Sequence, residues 1–180
     1  MRSLSMSEQV VTIEEAKASD ASALITLIKE AADETDFITG TEDVIAATVE
    51  VLECFLEASQ ESLTDICLLL KVGDILAGLL NIAGKAYRET SYVGDCFMLV
   101  LKPYRNHGLG QLLMETTLDW ARETKQLCAL ELEVQARNTC AYHIYEKYGF
   151  KIEGVKRKDV KSRNGDYQDV YLMRKYLERE

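Results

Sequence analysis

Residues 96–113 read Cys-Phe-Met-Leu-Val-Leu-Lys-Pro-Tyr-Arg-Asn-His-Gly-Leu-Gly-Gln-Leu-Leu. An apolar run, Cys96–Leu101, hands over to the turn Arg105-Asn106-His107-Gly108-Leu109-Gly110, and the turn opens an amphipathic pattern. The spacing predicts a strand, a glycine turn and a helix in that order. A helix N-terminus carries backbone N–H groups without intrahelical partners, and the dipole adds partial positive charge there. Glycine lets a ligand approach that backbone closely. The ligand expected at this turn is therefore a phosphate or pyrophosphate.

The helix face is drawn by Leu109, Leu112, Leu113, Thr116, Thr117, Trp120 and Ala121, ending near Thr124. Working outward, Ala129–Val134 alternates apolar and acidic residues and reads as a strand. Asn138 opens a helix with Ala141, Ile144, Tyr145 and Tyr148 on one face, closed by Gly149. Lys151–Lys161 and Gln168–Arg174 form a hairpin around Asn164-Gly165. Toward the N-terminus, Tyr92–Leu101 is a long strand, and Asp65–Val72 and Ile75–Ala83 make a hairpin at Gly73-Asp74. Thr41–Leu56 is expected as one acidic helix capped by Thr41. An earlier helix, capped by Asp20, buries Leu24, Leu27, Ile28 and Ala31. Val11–Ala16 is the first strand, and residues 1–10 are expected as a flexible tail. The order β-α-α-β-β-β-α-β-α-β-β describes a mixed α/β fold. Its sheet is mostly antiparallel, with a parallel β-α-β crossover and helices on both faces.

Composition narrows the function classes. The 180 residues form one expected domain, 1–180, and include no run of 18 apolar residues that would cross a membrane. Five cysteines without a Cys-x-x-Cys pair read as reduced thiols in a cytoplasmic protein, and no metal is expected. Residues 1–90 carry 17 acids against 6 Lys and Arg, whereas residues 91–180 carry 13 against 15. Eleven acids and no cation lie between Glu30 and Leu70. Such a lobe argues against nucleic acid as a partner and suits either a cationic acceptor or a plain solvated face.

Two competing phosphate motifs are absent. No third glycine follows Gly108-Leu109-Gly110, as a dinucleotide fingerprint requires, and no G-K-[ST] completes a P-loop. The stretch Val100–Leu113 instead resembles the pyrophosphate motif of the GNAT superfamily of acyl-CoA N-acyltransferases. A second stretch, Asn138-x-x-Ala141-x-x-Ile144-Tyr145-Glu146-Lys147-x-Gly149-Phe150, resembles the family's next motif at the right separation. His107 departs from the family, which often has Lys or Gly there.

The resemblance implies an N-acetyltransferase with acetyl-CoA as co-substrate. Backbone N–H groups of Arg105, Asn106, His107, Gly108, Leu109, Gly110 and Gln111 would hold the coenzyme pyrophosphate, with Arg105 either touching phosphate or bracing the loop. The strand before the turn would splay from its parallel neighbour, so that the backbone of Met98, Leu99 and Val100 meets the pantetheine arm. Asn138 would cap its helix and lie near the coenzyme. Tyr145 would protonate the departing thiolate. The acceptor is a primary amine that must lose a proton before attack. A lysine-like amine has a pKa of about 10.4. Asp95 is the first carboxylate expected to assist, and Glu131 and Glu133 the second. A small acceptor, polyamine or amino-acid-like, is slightly favoured. A protein N-terminus, as in ribosomal-protein acetyltransferases, and a non-catalytic acyl-CoA-binding module are the alternatives. Dimers are common in such families, so a homodimer stays open.

Overall fold

A computed structural model describes residues 2–6, 9–88 and 91–178. Eight strands form one sheet in the order β1-β2-β3-β4-β5-β6-β8-β7. They are β1 Arg2–Met6, β2 Gln9–Glu15, β3 Ile66–Val72, β4 Ile75–Arg88, β5 Ser91–Val100, β6 Leu127–Gln135, β7 Lys151–Lys161 and β8 Tyr167–Tyr176. Every neighbouring pair is antiparallel except β5 and β6, which run parallel. The helices are α1 Ala21–Glu34, α2 Glu42–Ala46, α3 Val49–Gln60, α4 Leu109–Thr124 and α5 Thr139–Lys147. Helix α4 is the crossover between the two parallel strands.

Two core layers sandwich the sheet because successive strand residues point to opposite faces. On one face Leu70, Leu80, Ile82, Leu130 and Leu132 pack with Leu109, Leu113, Met114 and Leu118 of α4 and Tyr145 of α5. On the other, Cys67, Leu69, Leu79 and Leu99 pack with Leu24, Leu27, Ile28 and Ala31 of α1 and Leu52 and Leu56 of α3. The mixed sheet, the parallel crossover and the two helical layers agree with the sequence reading.

Three local expectations are corrected. Residues 2–6, expected as part of a flexible tail, pair antiparallel with β2 from Arg2↔Ile13 to Met6↔Gln9. A five-residue edge strand stabilised by backbone pairing leaves little periodic signal. The helix expected over Thr41–Leu56 is broken after Ala46, because Thr48 adopts extended backbone and caps a new helix through the Val51 N–H. Asp20 does not cap α1. Its carboxylate accepts instead from the Lys17 N–H, closing a single 3-10 turn ahead of the helix. Among the thiols, Cys67 is buried, whereas Cys54 and Cys140 are exposed, and all five are free.

The β4–β5 pairing is tight where it borders the crossover. A Cβ at Gly78 would stand 2.6 Å from the Leu99 carbonyl oxygen and 3.3 Å from Val100 Cα, both backbone atoms that cannot rotate away. Gly78→Ala is therefore expected to cost about 1–3 kcal/mol. The check is a urea transition, where the midpoint falls with an unchanged slope. A midpoint indistinguishable from wild type would show that the strands separate freely here.

Candidate active site

Strands β5 and β6 pair only from Tyr92↔Leu127 to Asp95↔Glu131. Beyond Asp95 the two strands diverge, while β5 stays paired with β4 through Val100↔Gly78. The parallel sheet is thus opened at the point where β5 leads toward α4. This is the splay that the family resemblance implies.

Helix α4 begins beside that opening. Gly108 is its N-cap with φ +77°, and no side chain caps the helix. Asn106 is also left-handed, with φ +63°. The first intrahelical bond in this turn runs from the Leu112 N–H to the Gly108 carbonyl at 3.0 Å. The N–H groups of Leu109, Gly110 and Gln111 precede it and point out of the helix end. A Cβ at Gly110 would meet only Ile144 Cδ1 at 3.4 Å and Met98 Cε at 3.7 Å, so backbone and cleft lie close together there. A bare helix end beside a glycine and an open strand edge fits a pyrophosphate with an extended arm.

The turn is held from behind. Arg105 Nε donates to the Val100 carbonyl at 2.7 Å, and its Nη2 pairs with Glu34 Oε2 at 3.1 Å. The same carboxylate oxygen accepts from the Lys102 N–H at 2.8 Å. Of the two roles open to Arg105, the bracing contact is present. Lys147 of α5 donates to the Gln111 side chain and brings a cation beside the α4 N-terminus. That lysine escapes sequence reasoning, because it lies 36 residues from the turn.

A cleft of about 1270 Å³ runs through the splay. Met98, Leu99, Val100, Arg105, Asn106, Gly108, Leu109, Gly110, Gln111, Asn138, Tyr145 and Asp95 all line it. His107 does not, and it is exposed. Leu99 and Leu109 are themselves core residues, 4% and 3% exposed, so the cleft meets chiefly their backbone. Asn138 caps α5 by accepting from the Ala141 N–H at 3.3 Å.

Tyr145 is 7% exposed and packs its ring against Phe150 at 6.0 Å between centroids. Tyr145 lines the cleft. Burial, and secondarily the nearby Cys96 thiol, push its pKa above that of an ordinary phenol. The phenol therefore stays protonated at physiological pH. Burial likewise raises the Cys96 thiol well above the usual range, which suits packing and not nucleophilic attack.

Asp95 and Glu131 face the same side of the sheet as direct cross-strand partners. Lys85 Nζ sits 2.6 Å from Asp95 Oδ2 and 4.0 Å from Glu131 Oε1. Arg174 Nη2 holds Glu131 Oε2 at 2.6 Å, and Lys156 pairs with Glu133. Each of the three candidate bases thus has a cation beside it. The opposite wall comes from Thr35, from residues 37–41 and from Val44, Leu52, Phe55 and Leu56, which are apolar or hydroxyl-bearing. None of the eleven acids between Glu30 and Leu70 lines the cleft. Their segment is a solvated face, and Glu34 and Asp36 are spent on internal ion pairs. Lys85 and Arg137, which also line the cleft, were not singled out by sequence.

The geometry sets an uncapped helix end beside an opened parallel strand pair. The sequence profile described as the acetyltransferase (GNAT) family matches residues 41–150, and the chain belongs to that family. It is 37% identical to a solved acetyltransferase of the GNAT family from Streptococcus pneumoniae, with a TM-score of 0.86 and coverage of 93% of this chain and 99% of that one. The fold also matches yncA from Salmonella typhimurium, solved with its cofactor acetyl-CoA. There the TM-score is 0.79 at 18% identity, over 94% of this chain and 95% of that one. L-amino acid N-acetyltransferase AaaT of Escherichia coli is 34% identical over 101 residues, spanning 56% of this chain and 61% of that protein. Among the described residues no helix is long and apolar enough to cross a membrane.

Proposed function

We propose that this chain transfers the acetyl group of acetyl-CoA to the primary amine of a small, amino-acid-like acceptor by direct attack. The observation that carries the reading is the β5–β6 splay, which opens into a cleft lined by both the bare α4 N-terminus and Tyr145. Acetyl-CoA supplies the activated acyl group, as the acetyl-CoA held by the yncA neighbour suggests. The N–H groups of Leu109, Gly110 and Gln111 bind the pyrophosphate. The backbone of Met98–Val100, on the freed edge of β5, orients the pantetheine arm. Tyr145 hands its proton to the sulfur as the carbon–sulfur bond breaks. Asp95, or Glu131 and Glu133 behind it, takes the proton the amine must lose. Lys85 orients Asp95 and Arg174 orients Glu131.

The acceptor follows from charge. A polyamine would need unpaired carboxylates, but those on the cleft floor are each neutralised, and the acidic segment faces solvent. An acceptor with a single ammonium and a compact, partly apolar body fits the walls better. The Escherichia coli relative, an L-amino acid N-acetyltransferase, supports the same class. The test is thiol release from acetyl-CoA in the presence of L-amino acids, spermidine and short peptides. Transfer to amino acids above the other two is the expected outcome. A peptide preference would move the acceptor to protein N-termini. Tight coenzyme binding with transfer to none would make the chain a binding module.

A further inference from the structure

Behind the cleft wall, one carboxylate joins three segments that are far apart in sequence. Asp36 Oδ2 lies 2.8 Å from Arg137 Nη2 and accepts from the Arg163 N–H at 2.9 Å. The Asp36 carbonyl accepts from Gln135 Nε2 at 2.6 Å. Arg137 Nε donates to Gln135 Oε1 at 2.9 Å, and its guanidinium stacks 4.9 Å from the Phe37 ring centroid. Arg163, in the β7–β8 turn, also reaches back to the end of α1. Its Nη2 donates to the Ala32 and Asp33 carbonyls at 2.6 and 2.9 Å, which satisfies acceptors that the helix end leaves open. The C-terminus of α1, the end of β6 and the β7–β8 turn therefore meet at Asp36.

The residues that follow, 37–41, line the cleft, whereas Asp36 itself does not. This stretch has few bonds of its own. The Phe37 N–H donates to Thr35 Oγ1 at 3.2 Å, and Gly40 has φ +72°. Loops of this kind order only when tethered. We propose that Asp36 is a positioning residue that fixes Phe37–Thr41 as the acceptor wall, with Arg137 and Arg163 as its anchors. The inference rests on the reading above, in which this half of the cleft takes the acceptor. Ion pairs between partly exposed groups add little to global stability. The effect therefore falls on acceptor recognition, through preorganisation of the wall, and not on unfolding.

The experiment uses the full chain carrying Asp36→Ala, with Arg163→Ala as a second variant and Glu42→Gln on the exposed side of α2 as control. The acceptor probe is the amino acid with the highest wild-type kcat/KM. For both variants its KM rises about tenfold, while kcat stays within about threefold and acetyl-CoA affinity within about twofold. Tm moves by no more than a few degrees. In Asp36→Ala, tryptic cleavage after Arg137 and Arg163 also accelerates about tenfold relative to cleavage after Lys125. The control matches wild type throughout. An unchanged acceptor KM overturns the inference, as does a parallel loss of coenzyme affinity, kcat and Tm, which marks a merely structural contact. If wild type acetylates no amine, the proposed function fails by itself. The tryptic ratio then decides the tether alone, and an unchanged ratio overturns it.

Discussion

Gly110→Asp weakens coenzyme A binding at least ~100-fold and leaves the protein at least as stable as wild type. The two halves of this result have opposite electrostatic origins at one position. Gly110 is the second residue of α4, where a carboxylate meets the positive end of the helix dipole and contributes about 0.3–1 kcal/mol. Replacing the glycine also removes some unfolded-chain freedom, a smaller gain for Asp than the about 0.5–1 kcal/mol that Ala would bring. The new Cβ finds only ordinary contacts with Ile144 and Met98, so the packing does not object. The same carboxylate would stand where the pyrophosphate charge must sit. Charge-assisted bonds to backbone N–H groups contribute about 1.5–3 kcal/mol each, and loss of two of them exceeds two decades in affinity. Calorimetric titration with coenzyme A, together with a thermal melt, reads both halves. Unaltered affinity in a stable variant would place the pyrophosphate elsewhere.

Tyr145→Phe is expected to lower kcat by about 10²-fold with coenzyme affinity unchanged. The substitution removes only the hydroxyl oxygen, and the ring keeps its contact with Phe150. Stability should therefore stay within about 1 kcal/mol. The pH dependence carries the sign. Because burial raises the Tyr145 pKa, the wild-type phenol is protonated throughout the working range and well past pH 9. The rate should climb with pH as the acceptor amine or its base loses a proton, with no fall from Tyr145 below about pH 10. In the variant the climb remains and only the plateau drops. A wild-type rate that falls between pH 7 and 9, in step with a tyrosinate signal, would contradict this assignment. A kcat within twofold of wild type in Tyr145→Phe would remove Tyr145 from the chemistry.

What was legible in the sequence follows the range of the interactions involved. Strand β6 announces itself because Leu130, Leu132 and Val134 alternate with Glu131 and Glu133, and α4 because its buried residues recur at helical spacing. The glycine turn is equally local: the constraint at Gly108 and the role open to Gly110 lie within one helical turn of each other. Thr48 is the counterexample within a short range. It divides α2 from α3 because one side-chain oxygen accepts from the Val51 N–H, and the apolar period runs across the break without marking it. The site's electrostatics were out of reach for a different reason. Glu34 meets Arg105 across 71 residues, and Asp36 meets the Arg163 N–H across 127. Nothing in either local pattern distinguishes those acids from their solvated neighbours Glu42 or Glu50. The acidic segment suits a solvated face or a cationic acceptor equally in local pattern, and the fold, which keeps its acids out of the cleft, favours the solvated face.

The central claim is that the donor lies along the β5 edge with its pyrophosphate on the α4 N-terminus. Amide spectra of the isotope-labelled chain titrated with coenzyme A test it most directly. Saturable shifts are expected, largest at the amides of residues 108–111, with a second group at residues 98–100, while the exposed strand β7 stays unmoved. Saturable binding that leaves residues 108–111 unshifted would contradict it.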